Sequence, residues 1–385
     1  MRLLFVTSAL ASHHFTMVPL AWSALAAGHS VQILTSPDLA PVTARSGLPV
    51  HTAGPAVDFE RLHRDMVGRV ARGELRYDPK LLFCRVADAM ADEAVAVARA
   101  WRPDVVVWDP AAFAGPLAAA VTGALSVRCL WGVDILGRGA TLVERLPAAF
   151  HELFGRFGQE VPEDPDWWTV DPCPPSIVPD SQRHRRLPVR YVPYSPNGDV
   201  PAELFVRGGR ARVCLTFGSG IAMREFVTGP DFAASALLQG LRELDAELLL
   251  AVSAADRAAL GALPDSVRVV SSCPLGTLLP TCDAVVHHGG DGTLFTSALS
   301  GVPQLAIPYL PDLRFGSARF AQTGAVRTIE ADELSGLLAR SHVLDLLQGQ
   351  ECRTSAARLR EDMLAQPAPG EVVARLENLA AGRAA

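Results

Sequence analysis

The chain has 385 residues, more than one ordinary hydrophobic core accommodates, so its length predicts two domains. The formal net charge is -6 and no basic block occurs, which argues against nucleic acid or an anionic membrane as the main partner. The seven cysteines show no C-x-x-C spacing, so we expect reduced thiols in a cytoplasmic protein. No cleavage pattern follows the apolar N-terminus, and no apolar stretch reaches the length of a membrane span.

Short apolar runs alternate with helical patterns along the first part of the chain. The runs predict strands at 2–9, 31–35, 103–110 and 126–132, and the helical patterns predict helices at 17–29, 81–101 and 113–124. Continuous apolar runs of this length are typical of buried parallel strands. Residues 160–210 are rich in proline, glycine and charge, which favours an interdomain connection.

The alternation then restarts. Further strands are predicted at 212–218, 246–253, 266–272, 282–288, 303–309 and 325–329, followed by a mostly helical segment at 353–382. The pattern predicts an α/β protein with two Rossmann-like, doubly wound parallel sheets. We place the N-terminal domain at 1–195, a linker at 196–210, the C-terminal domain at 211–365, and a C-terminal helix at 366–385 that packs back on the N-terminal domain.

Ligands of such sheets bind outside the carboxyl ends of the strands, so residues that follow strands are the candidate site. The last of five such stretches, HHGGDGT, contains Gly289, Gly290 and Gly292, which let a backbone approach a ligand and turn into a helix. A helix N-terminus binds anions, and His288 and Thr293 can add donors. The alternative is an ordinary tight turn capped by a threonine; the stretch is not a G-K-[ST] phosphate loop.

A second candidate lies after the first predicted strand, where SHHF places His13 in a loop. A neutral imidazole can take a proton from an alcohol or phenol near pH 7, provided that a carboxylate fixes its tautomer. Asp109 and Asp134 both follow predicted strands, and the residues alone do not choose between them.

Several stretches resemble inverting glycosyltransferases of the GT-B fold, and in particular the bacterial enzymes that glycosylate antibiotics and other natural products. The resemblance covers most of the chain and rests on HHGGDGTLFTSALSGVPQLAIPYLPD, SHHFTMVPLAWSALAAGH, VDPCPPSIVP, VRYVPYS and WGVDILGR. It implies two Rossmann-like domains that face each other across a cleft.

Residue by residue, the resemblance implies that His13 is the base that deprotonates the acceptor, and that His288 meets the donor diphosphate as a charged group. It assigns further diphosphate contacts to Ser219, Gly290, Gly292 and Thr293. Asp312 aligns with the acid that holds sugar hydroxyls, and the Cys273 backbone aligns with the position that pairs with the nucleobase.

The chain departs from the family pattern at four places. Thr16 replaces a proline, Ser272 replaces a tryptophan that stacks on the base, and 316–317 is Gly-Ser instead of a small residue and asparagine. Leu313 replaces a glutamine that bonds the hydroxyls of a fully oxygenated hexose. An apolar residue there fits a deoxygenated sugar better, because an unpaired buried hydroxyl is costly.

The resemblance implies transfer of a deoxyhexose from a nucleoside diphosphate, dTDP above UDP, to a hydroxyl of a polyketide-type aglycone, with no metal and no cofactor. The acceptor pocket is expected along 56–85 and near Trp131. Two alternatives stay open: a C-glycosyltransferase in which Asp134 activates a phenolic carbon, and a catalytically dead sugar-binding auxiliary subunit. The predicted partners are the aglycone and the nucleotide sugar, with a homodimer left open.

Overall fold

The computed structural model describes the chain except for residues 9, 77, 136–145, 162–166, 178–184, 196–197, 219–232, 254–262, 264–265 and 385; the side chains of 233–236 and 383–384 are not described either. Two compact units divide the chain. The first comprises Met1–Pro172, Pro179–Arg190 and Pro367–Ala385, and the second comprises Cys173–Val178 and Tyr191–Gln366.

The first unit is built on a parallel sheet of seven strands. They are β1 (Arg2–Val6), β2 (Ser30–Thr35), β3 (Val50–Thr52), β4 (Val105–Trp108), β5 (Leu125–Cys129), β6 (Trp168–Asp171) and β7 (Arg186–Pro188). Their order across the sheet is β3-β2-β1-β4-β5-β6-β7, and every pair is parallel. All four residues of β4 are buried, as expected for a strand covered on both faces.

Helices pack against this sheet and share its core. They are α1 (Ala11–Ala26), α2 (Ala40–Ala44), α3 (Phe59–Ala71), α4 (Lys80–Trp101), α5 (Ala114–Thr122) and α6 (Ala148–Gly155). Helix α5 approaches the sheet closely because residue 115 is glycine: a Cβ there would lie 2.3 Å from the Cβ of Trp108. The fully buried Trp108 packs in the core with Phe113 and Phe150.

The second unit repeats the architecture with a six-stranded parallel sheet. Its strands are β8 (Ala211–Thr216), β9 (Ala246–Val252), β10 (Val267–Ser271), β11 (Ala284–His287), β12 (Gln304–Ala306) and β13 (Val326–Thr328), in the order β10-β9-β8-β11-β12-β13. Its helices are α7 (Ala233–Leu241), α8 (Leu275–Leu278), α9 (Asp291–Ser300), α10 (Pro311–Ala321), α11 (Gly336–Gln348) and α12 (Gln350–Leu364). The last helix, α13 (Pro369–Ala384), belongs to the first unit and packs against α1.

In each sheet the direction of strand addition reverses once. The chain builds outward from β1 through β2 and β3, then returns to the other side of β1 with β4. In the second sheet β8 and β11 are the equivalent neighbours. The crevice at such a reversal is the standard ligand site of open α/β sheets, so the loops after β1, β4, β8 and β11 are the ones to examine.

The predicted fold class, two doubly wound parallel-sheet domains, is confirmed, with differences in detail. Helix α1 begins at Ala11, so His13 lies in a buried first turn and not in a loop. The 160–210 region does more than connect, because it supplies β6 and the edge strand β7. Those strands are too short and polar to read from sequence, and a buried ion pair links them, with Arg186 Nε 2.6 Å from Asp171 Oδ2.

Among the helices that the structure describes, none is long and apolar enough to cross a membrane.

Candidate active site

The reversal between β1 and β4 brings His13 and Asp109 together. Val6 and Trp108 are register partners at the ends of these strands, and the N–H of Asp109 donates to the carbonyl of Val6 at 3.2 Å. Asp109 is fully buried, and His13 is buried in the first turn of α1. Its Nδ1 lies 3.2 Å from Oδ1 of Asp109. Thr16, at the family's proline position, donates its hydroxyl to the His13 carbonyl at 2.8 Å.

This contact fixes the tautomer of His13. An ionised carboxylate only accepts hydrogen bonds, so Nδ1 must carry the ring proton in this pair and Nε2 must carry the lone pair. Oδ1 of Asp109 also accepts the N–H of Ala111 at 2.9 Å, which holds the carboxylate in place. Nε2 of His13 makes no hydrogen bond to any residue within the described ranges, so it is available to a ligand.

The aromatic ring of Trp131 covers one face of His13. The two ring centroids are 3.6 Å apart and the planes are inclined by 7°. Trp131 follows β5, the neighbour of β4, so the same sheet edge positions all three side chains. A small, open depression lies alongside and is lined in part by Pro110, Trp131 and Asp134.

Asp134, the other carboxylate predicted near His13, has a different partner. Its Oδ2 accepts from Nη2 of Arg128 at 2.7 Å, and the same guanidinium donates to the hydroxyl of Thr169 at 3.1 and 3.2 Å. Arg128 is buried, so this pair keeps its charge compensated. The structure therefore places Asp109 and not Asp134 in contact with His13.

In the second unit, His287 organises the turn after β11. This fully buried ring accepts the N–H of Gly289 at Nδ1, over 3.0 Å, and its Nε2 lies 3.0 Å from Oε1 of Gln304. Gln304 in turn donates to the carbonyl of Leu294 at 3.2 Å. Burial, and secondarily the neighbouring His288, lowers the pKa of His287 to about 3, so the ring is neutral. The sequence prediction of a structural strand-end histidine agrees with this placement.

His288 lies between two glycines from the two strand ends of the reversal. A Cβ on Gly218, after β8, would lie 2.8 Å from its Cε1, and a Cβ on Gly290 would lie 2.4 Å from its Nε2. Neither position tolerates a side chain while the ring stays in place. Burial lowers the pKa of His288 to about 4, opposed by a hydrogen bond to the backbone of Thr216. His288 is therefore neutral in the ligand-free protein, and the charge expected beside a bound diphosphate stays a prediction.

The start of α9 offers unused donors beside this ring. Gly290 is the N-cap, and its carbonyl accepts the N–H groups of Thr293 and Leu294 at 3.0 Å each. The N–H groups of Gly290 and Gly292, and the hydroxyl of Thr293, donate no hydrogen bond within the part of the chain that the structure describes. These are the donors that an anion at a helix N-terminus would use. Ser219, predicted for the same role, lies outside the described residues.

Helix α10 packs directly against the glycine turn. Gly289 has φ +83, and a Cβ there would lie 2.5 Å from Oγ of the fully buried Ser317. Asp312 is exposed in the first turn of α10, and the carbonyl oxygen of Leu313 would lie 3.6 Å from the same Cβ. The small Gly-Ser pair at 316–317 thus allows the close approach that places Asp312 and Leu313 beside the turn.

Cys273, the predicted base-pairing position, follows β10. It comes directly after Ser272, whose φ of 55 turns the chain sharply, and its side chain is half-buried. Its backbone N–H donates no hydrogen bond to any residue inside the described ranges, which leaves it available.

No group of three or more His, Cys, Asp or Glu side chains is arranged to hold a metal ion among the residues that the structure describes. Independence from a metal therefore stays a prediction.

Sequence reasoning missed three partners. Trp131 was expected only to line a pocket, the buried Arg128 beside Asp134 was not noticed, and Gln304 looked like an ordinary strand residue. Arg128 pairs with Trp108 on the neighbouring strand, a register that the sequence alone does not reveal.

Phe59 and Phe83, expected in the acceptor pocket, stack on each other at 5.5 Å and pack against the first unit's core.

Comparison with known proteins identifies the class. The model of the erythromycin biosynthesis protein CIII-like N-terminal domain matches residues 22–218, and that of the C-terminal domain matches residues 235–379. The aclacinomycin-T 2-deoxy-L-fucose transferase of Streptomyces galilaeus is 36% identical over 99% of this chain and 96% of its own length.

Solved structures agree with the sequence relatives. The glycosyltransferase SnogD from Streptomyces nogalater has a TM-score of 0.81 at 34% identity, covering 98% of this chain and 99% of its own. The spinosyn rhamnosyltransferase SpnG, complexed with thymidine diphosphate, has a TM-score of 0.82 at 29% identity, covering 98% of this chain and 100% of its own.

The fold and these relatives define a glycosyltransferase of the GT-B fold. The chain belongs to the erythromycin biosynthesis protein CIII-like family, whose members here are antibiotic glycosyltransferases.

The contact between residue 290 and His288 gives a first prediction. Gly290→Ala places a Cβ 2.4 Å from Nε2 of His288, so the ring must move and the donors around it are lost. We expect a loss of dTDP affinity of about ten-fold or more, measured by calorimetry. Gly208→Ala, in the same unit with nothing within 4 Å of the added Cβ, is the matched control. Equal affinities for the two variants would refute the assignment of this turn to the diphosphate.

Three neutral histidines, two of them buried and one partly buried, give a second prediction. Burial lowers the pKa of His14 to about 4, of His287 to about 3 and of His288 to about 4. The unfolded chain binds protons at these rings near pH 6.5 and the folded chain does not, so the stabilisation is complete above pH 6.5 and is lost as pH falls towards 4. Each ring contributes a slope of up to about 1.4 kcal/mol per pH unit to the free energy of unfolding.

Urea unfolding between pH 7.5 and pH 5 measures this slope. His287→Gln removes one of the three rings that bind a proton when the chain unfolds. The free energy of unfolding of this variant should therefore fall less steeply with decreasing pH than that of the parent chain. His151→Gln, at an exposed ring, is the control and should keep the parent slope. An unchanged slope for His287→Gln would show that this ring is not held neutral by the fold.

Proposed function

We propose that the enzyme transfers a deoxyhexose from a dTDP-sugar to a hydroxyl of a polyketide-type aglycone, with inversion at the anomeric carbon. One observation carries the proposal. His13, at the strand-order reversal of its sheet, has Nδ1 held by a buried carboxylate and Nε2 without a partner among the described residues. That arrangement is a general base ready to accept the proton of an alcohol.

In this reaction the lone pair on Nε2 of His13 takes the proton of the acceptor hydroxyl. The acceptor oxygen forms a bond to the anomeric carbon as the bond from that carbon to the diphosphate oxygen breaks, which inverts the centre. Asp109 stabilises the imidazolium through Nδ1 and does not need to become protonated.

The turn at 287–293 supports the other half of the reaction. The N–H groups of Gly290 and Gly292, the hydroxyl of Thr293 and the positive end of α9 would stabilise the negative charge that grows on the leaving diphosphate. His288 is neutral in the free protein, and a bound diphosphate would favour its protonation, adding a cation at that point. These donors supply the stabilisation for which other transferases use a metal.

Two observations favour thymidine and a deoxygenated sugar. The relative SpnG is described as a complex with thymidine diphosphate, and the galilaeus relative as a 2-deoxy-L-fucose transferase. In this chain, half-buried Leu313 follows Asp312 beside the glycine turn, where an apolar side chain would leave a sugar hydroxyl unpaired. Asp312 is assigned to the remaining hydroxyls, and the Cys273 backbone to the base.

Transfer to oxygen is favoured over transfer to an aromatic carbon. Asp134, the residue that a C-glycosyltransferase would use, is bound to Arg128, whereas His13 keeps a free lone pair. The hydrogen bond between His13 and Asp109 also argues against a catalytically dead auxiliary subunit. A protein that only binds a sugar does not need a buried carboxylate bonded to an imidazole.

Loss of the base is the direct test. His13→Ala should abolish transfer while calorimetric affinity for dTDP stays within two-fold of the parent, about 0.4 kcal/mol. Asp109→Asn should retain the fold but lower kcat by about 10²–10⁴-fold, because the amide no longer stabilises the imidazolium. Near-normal turnover by His13→Ala would eliminate this mechanism.

The sugar preference is tested at Leu313. Leu313→Gln adds a donor and an acceptor for hydroxyls, so kcat/KM should shift towards fully hydroxylated donors by about 10-fold or more relative to 2-deoxy or 6-deoxy donors. Leu337→Gln, the same change at an exposed leucine, is the control. If both variants keep the parent ratio across a panel of dTDP and UDP sugars, Leu313 does not select the sugar.

A further inference from the structure

The stack between Trp131 and His13 is unusually close and flat. At a centroid separation of 3.6 Å and an inclination of 7°, one whole face of the imidazole is covered by the indole. Aromatic pairs more often sit offset or edge-on, because the electron-rich faces repel each other. A face-to-face arrangement gains most when one ring becomes a cation, since the indole is the best aromatic partner for positive charge.

The charge of His13 changes during the proposed reaction. The imidazole is neutral before proton transfer and cationic as the acceptor oxygen attacks, so the attraction to Trp131 grows towards the transition state. Only interactions that strengthen between ground state and transition state accelerate a reaction. The indole of Trp131 meets that condition, because its attraction to His13 grows as the ring becomes cationic. If Trp131 only contacted the acceptor, its contribution would change little between ground state and transition state.

The other groups around His13 cannot replace this effect. Asp109 contacts Nδ1 of His13 at 3.2 Å, at the edge of the ring and not at its face. His14 on the same helix is neutral, since burial lowers its pKa to about 4. Cys129 at the end of β5 stays a thiol, because burial raises its pKa to about 12. The negative charge of Asp134 is paired with Arg128. Trp131 is the group that contacts the face of the His13 imidazole.

We propose that Trp131 is a positioning residue for the base: its indole holds the His13 ring in the plane that Asp109 requires and stabilises the imidazolium formed during transfer. The proposal rests on the proposed function, in which His13 is the base. It differs from a role for Trp131 as a cavity wall alone, which would change acceptor KM and leave the proton affinity of His13 unaltered.

The first experiment needs no substrate. Imidazolium quenches indole fluorescence, so the full-length protein should lose emission as His13 protonates, and both His13→Ala and Trp131→Phe should abolish that step. In NMR spectra of the histidine rings, the His13 titration midpoint should fall by about 0.5–1.5 pH units in Trp131→Leu, and by less in Trp131→Phe, which keeps an aromatic face. Trp22→Leu, the same change at a half-exposed tryptophan on the helix that carries His13, should leave the midpoint unchanged.

The second experiment uses turnover. In Trp131→Leu the acid limb of kcat/KM should move to lower pH by the same amount and kcat should fall by about ten-fold, with partial rescue in Trp131→Phe. An unchanged His13 midpoint in Trp131→Leu, or a change in KM alone, overturns the proposal. Failure of the proposed function has a different signature, because transfer would then persist in His13→Ala whatever the titration shows.

Discussion

The hydrogen bond between His13 and Asp109 depends on one property of the fold, the adjacency of β1 and β4. These strands are about a hundred residues apart in sequence and become neighbours only because strand order reverses at β1. Parallel strands put their carboxyl ends at one edge, so a helix that starts after β1 and a carboxylate that follows β4 must meet there. The contact in turn fixes the tautomer, and the tautomer decides which nitrogen can act as a base.

The same topology produces a different chemistry in the second unit. There the reversal lies between β8 and β11, and the residues beyond the strands are glycines around an imidazole. The absence of side chains at 218 and 290 makes room for His288, and the turn of α9 exposes N–H groups beside it. In the proposed function, the first unit supplies the proton acceptor and the second supplies hydrogen-bond donors for the leaving diphosphate.

Sequence reasoning could locate these sites because strand ends and glycine clusters are visible in a linear pattern. It predicted both sheets, the glycine turn beside His288 and a candidate base at His13, whose role stays a prediction. It missed β3, β6 and β7 because strands of three or four residues with polar content carry little periodicity. It could not choose between Asp109 and Asp134, because that choice depends on register and on Arg128, which lies buried on β5 and binds Asp134. It could not show that His288 is neutral in the ligand-free protein, because the burial that lowers the pKa of this ring follows from packing.

The proposed base is tested most directly by the tautomer of the His13 ring in the resting protein. Long-range ¹H–¹⁵N correlation spectra of histidine-labelled protein at pH 8 distinguish the two neutral tautomers, and the spectrum of His13→Ala assigns the ring. We expect a proton on Nδ1 and a bare Nε2. A proton on Nε2 would contradict this expectation, because that ring would have no lone pair to offer an acceptor hydroxyl.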